Sequence, residues 1–381
     1  SGWAVEPVAE NENVMWIRTP YTPAYFKRFA PIANDLENIR INDEGTIDIQ
    51  YMAQIGDESL FLGARPQRPA GVATIQPESI ETILTMVRSG EKIAPSIVHT
   101  GSSTISRVHE TRVEMDAEVV DEDFDTIRRD DRITDVVIVS ANDAVESLFR
   151  IRRIVRRLEE IPHINAVRLR SLKFNYEPQS YTPAVIDELA ALNKLTMVSP
   201  LRLEIETQFI VADEFRPAHA RLARQLNNQG ITVYCNTPLL GRINDTPEAI
   251  NQLAYGCRKT GIEFHHLYVA GLAIQNRWNF ENPVALYDVV DIATRVRREG
   301  SGREVPRYII RTVLGEVDFG LSSTIVGQEG DLSIKLLPYD LSYFTAMQPD
   351  FTWPADVSED VDGKPVVPVV GLLKTTDFAL S

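Results

Sequence analysis

From about Arg132 to Arg311 the chain alternates short β-branched runs with longer stretches in which apolar residues recur every three or four positions. The short runs, at 135–140, 166–170, 201–207, 232–236, 263–269 and 307–312, are predicted strands. The intervening stretches, at 144–158, 182–192, 218–229, 247–260 and 283–298, are predicted amphipathic helices. Thr182-Pro183 and Thr246-Pro247 mark two of their starts, with proline in the first turn. Strand and helix in repeated alternation predict a parallel sheet, hence an α/β chain folded as a partial or full (β/α) barrel. A further strand at 96–100 is predicted to open it. Before Pro95 the pattern changes: 36–62 reads as short strands or turns and 76–88 as a helix. After Gly320 it becomes strand-like and proline-rich, notably at 332–337 and 365–373. The expected organisation is an N-terminal extension or cap (1–94), a barrel (95–325) and a C-terminal extension (326–381).

Composition narrows the function classes. A chain of 381 residues, 44% hydrophobic, can bury a sizeable core without a metal or disulfide staple. The 54 acidic against 39 basic residues, net charge -15, argue against a nucleic-acid binder, which needs a basic surface. No run of about 18 apolar residues occurs, so no membrane partner is expected. The start Ser1-Gly2-Trp3 shows no export pattern. Cys235 and Cys257 form no disulfide framework, so a cytoplasmic location is expected.

A parallel barrel gathers its reactive groups at the carboxyl ends of its strands. Those ends offer Ser140, Asn142, Asp143, Arg170, Lys173, Gln208, Asn236, Tyr268 and Arg311 as ligand-binding candidates. This donor-rich set suits a small anionic or amino-acid-like ligand, with Arg311, Arg170 or Lys173 as the clamp. Glu206, Asp143 and His109 are the acid/base candidates. Arg311 inside a barrel mouth needs a carboxylate partner, for which Glu206 and Asp143 are the choices. His265 and His266 are adjacent on a strand, so one at most should face the interior; a metal set built from His99, His109, one of them and Glu206 is the less favoured reading. The arginines of 150–157 should form the solvated face of a helix.

Three ordered segments carry a resemblance. Ser140-Ala141-Asn142-Asp143-Ala144, followed by Leu158-Glu159-Glu160-Ile161-Pro162-His163, resembles the Ser-Gly-Gly-Asp turn and the Arg-Glu-Ile-Pro-His helix end of the lysine 2,3-aminomutase branch of the radical S-adenosylmethionine enzymes. Asn236-Thr237-Pro238-Leu239-Leu240 with Asn244-Asp245 is similar to that family's Asn-Gln-Ser-Val-Leu-Leu and Asn-Asp pair. Val305-Pro306-Arg307-Tyr308-Ile309-Ile310 is similar to its last barrel strand. The set runs in family order between residues 95 and 325.

The resemblance implies a radical-SAM-like barrel, and the departures from it bear on function. The family's three-cysteine cluster loop follows the first barrel strand; its positions here hold Ser102, Ser106 and His109. Serine is no practical iron ligand, so no iron-sulfur cluster is expected. The turn at 314–320 has no lysine for pyridoxal phosphate, so none is expected either. Two aspartates that the lysine enzyme uses for its substrate's ammonium fall at Gly271 and Arg311. S-adenosylmethionine remains the candidate cofactor, near Ser140, Asn142, Asp143 and Asn236, although Ala141 restricts that turn. The first expectation is a non-radical enzyme acting on an amino-acid-like or adenosyl molecule. The alternative is a catalytically inactive subunit of a homo-oligomer or of a complex with a partner protein.

Overall fold

A computed structural model describes residues 105–140, 143–193, 201–326 and 332–373, together with the backbone of four short strands nearer the start of the chain. The chain divides into two compact units, residues 1–71 with 215–218, and 72–214 with 219–381. In the first unit β1 (Pro7–Asn11), β2 (Val14–Arg18), β3 (Ile39–Ile41) and β4 (Ile47–Tyr51) form an antiparallel sheet in the order β1-β2-β4-β3. The last two lie in the 36–62 region read as short strands or turns. The helix expected at 76–88 and the strand expected at 96–100 lie outside the described residues.

The second unit is built on a nine-stranded, nearly closed, barrel-shaped sheet. Its strands are β5 (Ile105–His109), β6 (Arg112–Asp116), β7 (Asp135–Val139), β8 (Ala166–Arg170), β9 (Arg202–Thr207), β10 (Thr232–Pro238), β11 (Glu263–Ala270), and, after the short β12 (Val284–Ala285), β13 (Arg307–Thr312) and β14 (Gly315–Asp318). The order is β14-β13-β11-β10-β9-β8-β7-β6-β5. All neighbours from β6 to β13 run parallel, and only the edge strands β5 and β14 are antiparallel to theirs. The six strands read from the pattern are present. The parallel strand that precedes them is Arg112–Asp116, which the pattern did not reveal: Arg-Val-Glu-Met-Asp puts charges where apolar side chains are expected, yet four of its five residues are buried.

Helices α1 (Asp121–Arg129), α2 (Leu148–Glu159), α3 (Pro183–Leu192), α4 (Pro217–Asn228), α5 (Pro247–Thr260), α6 (Ala273–Glu281) and α7 (Leu286–Glu299) follow their strands. Thr182 and Thr246 accept hydrogen bonds from the amides of Val185 and Ala249, satisfying donors that the first turns of α3 and α5 leave open. Gly261 stops α5 at φ 80°, the left-handed conformation that favours glycine there. Helix α2 buries Ile151, Ile154, Val155 and Leu158, while Arg150, Arg152 and Arg157 pair outward with Glu118, Glu188 and Asp121. That solvated arginine face matches the expectation from its spacing.

After the barrel, β15 (Ser323–Val326), β16 (Ser333–Leu336), β17 (Ser358–Glu359) and β18 (Pro365–Pro368) form a sheet in the order β15-β16-β18-β17. Between β16 and β17, helix α8 (Leu341–Met347) supplies Phe344, whose ring stacks on Phe351 and meets Trp353 edge-on. The final strand, β19 (Leu372–Leu373), pairs with β12. Among the described residues no helix is long and apolar enough to cross a membrane.

Candidate functional site: the charged barrel interior and the strand ends

Alternating positions on neighbouring strands point to one face, so Arg112 and Glu114, Arg168 and Arg170, and Glu204 and Glu206 meet across β6, β8 and β9. Register sets Arg168 beside Glu204 and Arg170 beside Glu206. The Nε and Nη2 atoms of Arg168 donate to Glu204 at 3.1 and 2.9 Å, and its Nη1 lies 3.7 Å from Glu206. Arg170 donates to Glu206 at 2.7 Å and to Glu114 at 2.8 Å. From the far side of the sheet Arg311 grips both oxygens of Glu114, at 3.0 and 2.9 Å. Arg112 donates to Glu316 on β14 at 2.5 Å, and the Tyr268 hydroxyl donates to the other oxygen of Glu316 at 2.9 Å. Four arginines therefore face four glutamates in one network, and its links from β6 to β13 and β14 draw the ends of the sheet together.

Burial of a carboxylate in a dry interior favours its neutral form, and here the guanidinium groups reverse that. Burial pushes Glu114 up, but Arg170, Arg311 and Arg112 hold its carboxyl well below the usual range. Burial likewise pushes up Glu206 and Glu316, which their arginines hold at about 2. All three are ionised at neutral pH, and each is committed to cations that need it.

This changes what the expected site residues do locally. Arg311 pairs with Glu114 and, at 3.8 Å, with Glu316; the partners expected for it, Glu206 and Asp143, are not the ones it takes. Arg170 shares Glu114 with it. Lys173 lies outside the barrel network, bridging Glu146 at 2.5 Å and Glu177 at 2.9 Å. Asp143, at φ 77°, accepts from the Ser171 hydroxyl at 2.8 Å and from the amides of Lys173 and Val145 at 2.9 and 3.1 Å. It ties the end of β7 to the end of β8, and burial pushes its pKa up against those donors. Ser140 meets Ser147 at 3.5 Å, and the backbone oxygen of Gln208 accepts from Asn175. Asn236 is buried, and neither its Oδ1 nor the Thr207 Oγ1 at the end of β9 has a hydrogen-bond partner among the described residues. Tyr268 gives its hydroxyl to Glu316. Trp278 gives its indole N–H to the Gly241 carbonyl at 2.9 Å. Asn142 and Ser102 lie outside the described residues.

Two expectations need correction. The segment read as a cluster-type loop is for the most part a strand: Ile105–His109 pairs antiparallel with Arg112–Asp116, and Ser106 is buried within it. A short turn at Glu110-Thr111 reverses the chain at once, so among the described residues no open loop separates this strand from Arg112–Asp116. Second, both His265 and His266 line one cavity, their rings stacked 3.8 Å apart. Strict alternation fails because the β10–β11 register slips at this point: Cys235 is opposite Phe264 but Asn236 is opposite His266. The extra residue of this bulge is His265, and a bulge re-aims side chains.

The two positions where the resemblance places substrate aspartates are neighbours in space. Gly271 has φ 100°, and a Cβ there would lie 1.7 Å from the Arg311 carbonyl oxygen. No side chain fits without displacing the β13 backbone. Gly271→Ala is expected to cost about 1–3 kcal/mol from crowding and left-handed strain, read as a lower denaturation midpoint.

The residues missed from sequence, Arg112, Glu114, Arg168, Glu204 and Glu316, all carried one signal. Charges at period two, as in Arg112-Val113-Glu114, Arg168-Leu169-Arg170 and Glu204-Ile205-Glu206, sit in a sheet that helices cover on its outer face, so they must find one another inside it.

No model of a known protein family matches the chain. Over 196 residues, 51% of this chain and 44% of the relative, it is 25% identical to L-lysine 2,3-aminomutase of Clostridium subterminale. It is 22% identical to L-lysine 2,3-aminomutase of Acetoanaerobium sticklandii over 196 residues, 51% of this chain and 45% of that one. A putative L-lysine 2,3-aminomutase of Aquifex aeolicus is 22% identical over 202 residues, 52% of each. The chain thus spans about half the length of the relatives it matches, a distant similarity consistent with the radical-SAM-like barrel.

Proposed function

Starting from that distant likeness to the aminomutases, we propose that this barrel works without radical chemistry, as a non-catalytic subunit that binds a partner protein. The observation that carries the reading is the arrest of Arg170 and Arg311 on one buried glutamate, Glu114. A cation poised to capture a substrate anion turns its forked N–H groups toward the ligand, whereas Arg311 spends both Nη atoms on Glu114 and Arg170 directs Nε and Nη2 to Glu206 and Glu114. Asp143 and Glu206, two of the three acid/base candidates, are likewise held by structural donors.

The cofactors implied by the likeness do not fit these residues. A four-iron cluster needs three or four thiolates, and the cysteines of this chain are Cys235 and Cys257, both buried. Burial and the neighbouring Cys235 push the Cys257 thiol well above its ordinary value, the opposite of what a metal ligand requires. Ser106 and His109 belong to a paired strand. Pyridoxal phosphate needs a lysine, and the hairpin Leu314-Gly315-Glu316-Val317-Asp318 has none.

One observation favours a second reading, a non-radical enzyme acting on an amino-acid-like or adenosyl molecule. Buried atoms without partners at Thr207, the last residue of β9, and at Asn236, two residues before the end of β10, are polar groups whose missing hydrogen bonds a ligand would supply. Calorimetric titration with S-adenosylmethionine, S-adenosylhomocysteine and amino acids separates the two. The subunit reading expects no saturable heat with any of them, and a size-exclusion mass that rises when a co-encoded partner is present. Saturable binding of an adenosyl compound, weakened at least about tenfold by Asn236→Ala, would transfer the assignment to the enzyme.

A further inference from the structure

The cavity that His265 and His266 share lies at the opposite end of the barrel from the strand ends discussed above. Arg112, Asp135 and Arg307 each begin a parallel strand, and Asp318 ends the antiparallel β14, so all four mark the amino-terminal face of the sheet. These residues, with Arg168, Glu316 and the two histidines, enclose about 230 Å³, room for several waters or one small ion.

What the walls leave unsatisfied defines the occupant. The acids are already held: Glu316 by Arg112, Arg311 and Tyr268, Asp318 by Arg307 at 2.8 Å, and Asp135 by the Thr134 hydroxyl at 2.6 Å. The donors are not all used. Arg112 Nε and Arg168 Nη1 are buried with no hydrogen-bond partner among the described residues, as are both ring nitrogens of His266 and Nδ1 of His265. His266 is only 3% exposed, so water outside the cavity does not serve it. Unused N–H groups from two guanidinium ions, with the single N–H that a neutral His266 ring carries, call for a compact ligand rich in acceptor oxygens.

We propose that this cavity is a binding site for a small oxyanion of sulfate or phosphate size, held by Arg112, Arg168 and His266 and entered past the Arg307–Asp318 pair. Arg307, its side chain 61% exposed, stands at the entrance.

The site couples anion binding to proton uptake. The lining sets Arg112, Arg168 and Arg307 against Asp135, Glu316 and Asp318, and Arg168 is also paired with Glu204 outside the lining, so the positive charge an anion needs comes from protonating the imidazoles. Burial pushes His265 down to about 3, helped by His266, Arg168 and Arg112 and opposed by Glu206; Tyr234 packs on its other side. Burial holds His266 at about 4, with Glu316 and Glu206 raising it, Arg112 and Arg307 lowering it, and Tyr268 meeting its ring edge-on. Both imidazoles are neutral near pH 7, and an anion beside them favours their protonated form.

The test is calorimetric titration of the whole chain with sulfate, which stays a dianion across the range. Saturable binding is expected that tightens at least about tenfold between about pH 7.5 and about pH 5.5 and takes up protons. His266→Phe fills the cavity and should abolish binding while the circular dichroism stays native. Asp318→Asn frees Arg307 and should tighten binding severalfold, which keeps the proposal testable if the phenylalanine variant misfolds. Glycerol phosphate binding tighter than inorganic phosphate identifies the terminus of a larger ligand, and the reverse order a free anion; both support the site. No saturation in wild type and Asp318→Asn alike, or binding indifferent to pH and to His266→Phe, overturns it.

Discussion

Glu114→Met is expected to destabilise the barrel by about 3–5 kcal/mol, because it leaves Arg170 and Arg311 buried without the carboxylate they share. Against the roughly 5–15 kcal/mol that separates folded from unfolded domains, that loss is large enough to unfold part of the population near neutral pH. Glu114 is fully buried, and both its oxygens are engaged. Removing the cation as well should help. In Glu114→Met with Arg311→Met, Arg170 keeps Glu206 and Arg112 keeps Glu316, so charge balance survives and two apolar side chains occupy the gap. Urea denaturation should therefore find the double variant more stable than Glu114→Met alone. If Glu114→Met shifts the midpoint no more than a surface substitution does, the network is not holding the barrel.

Acid should unfold this protein in two stages with different chemistry. His265 and His266 are lowered from 6.5 to about 3 and about 4. The unfolded chain therefore binds protons first, and the stability these residues contribute is present above pH 6.5 and lost as pH falls toward their folded values. Each costs about 1.4 kcal/mol per pH unit in that window. Glu206 and Glu316, lowered from 4.5 to about 2, act later. Their contribution, at most about 3 kcal/mol each and not additive within one network, is intact above pH 4.5 and disappears toward pH 2. Stability measured against pH should begin to fall near 6.5 and steepen below 4.5. The double variant His265→Gln with His266→Gln should lose the upper limb and keep the lower. A wild-type profile flat down to pH 4.5 would contradict the burial of the histidines, and sulfate, by restoring their protonated form, should flatten the upper limb.

The fold was more legible than the site. Strands such as Asp135–Val139 announce themselves because burial on both faces demands an unbroken β-branched run, and Thr-Pro pairs mark helix starts by chemistry that is local. Arg112–Asp116 hid because its inward residues are charged, and charge is acceptable inside a barrel only when partners arrive from distant strands. Glu114 needs Arg170, 56 residues away, and Arg311, 197 residues away. Nothing local reports such pairing. The stacking of His265 on His266 escaped for a related reason: alternation holds for a regular strand, and the bulge that breaks it is set by the register with β10. Lys173 and Asp143 take local partners that strand-end position does not reveal, since Lys173 bridges Glu146 and Glu177 and Asp143 ties two strand ends together.

The proposal on which the rest depends is that this barrel's interior is an ionic core and that the chain, with Cys235 and Cys257 as its cysteines, does not cage a four-iron cluster. Anaerobic reconstitution with iron and sulfide, followed by iron analysis and ultraviolet-visible absorbance of the desalted protein, tests it most directly. The account predicts a colourless protein with no stoichiometric iron and no cleavage of added S-adenosylmethionine under reduction. A brown protein retaining a four-iron cluster on each chain would contradict it.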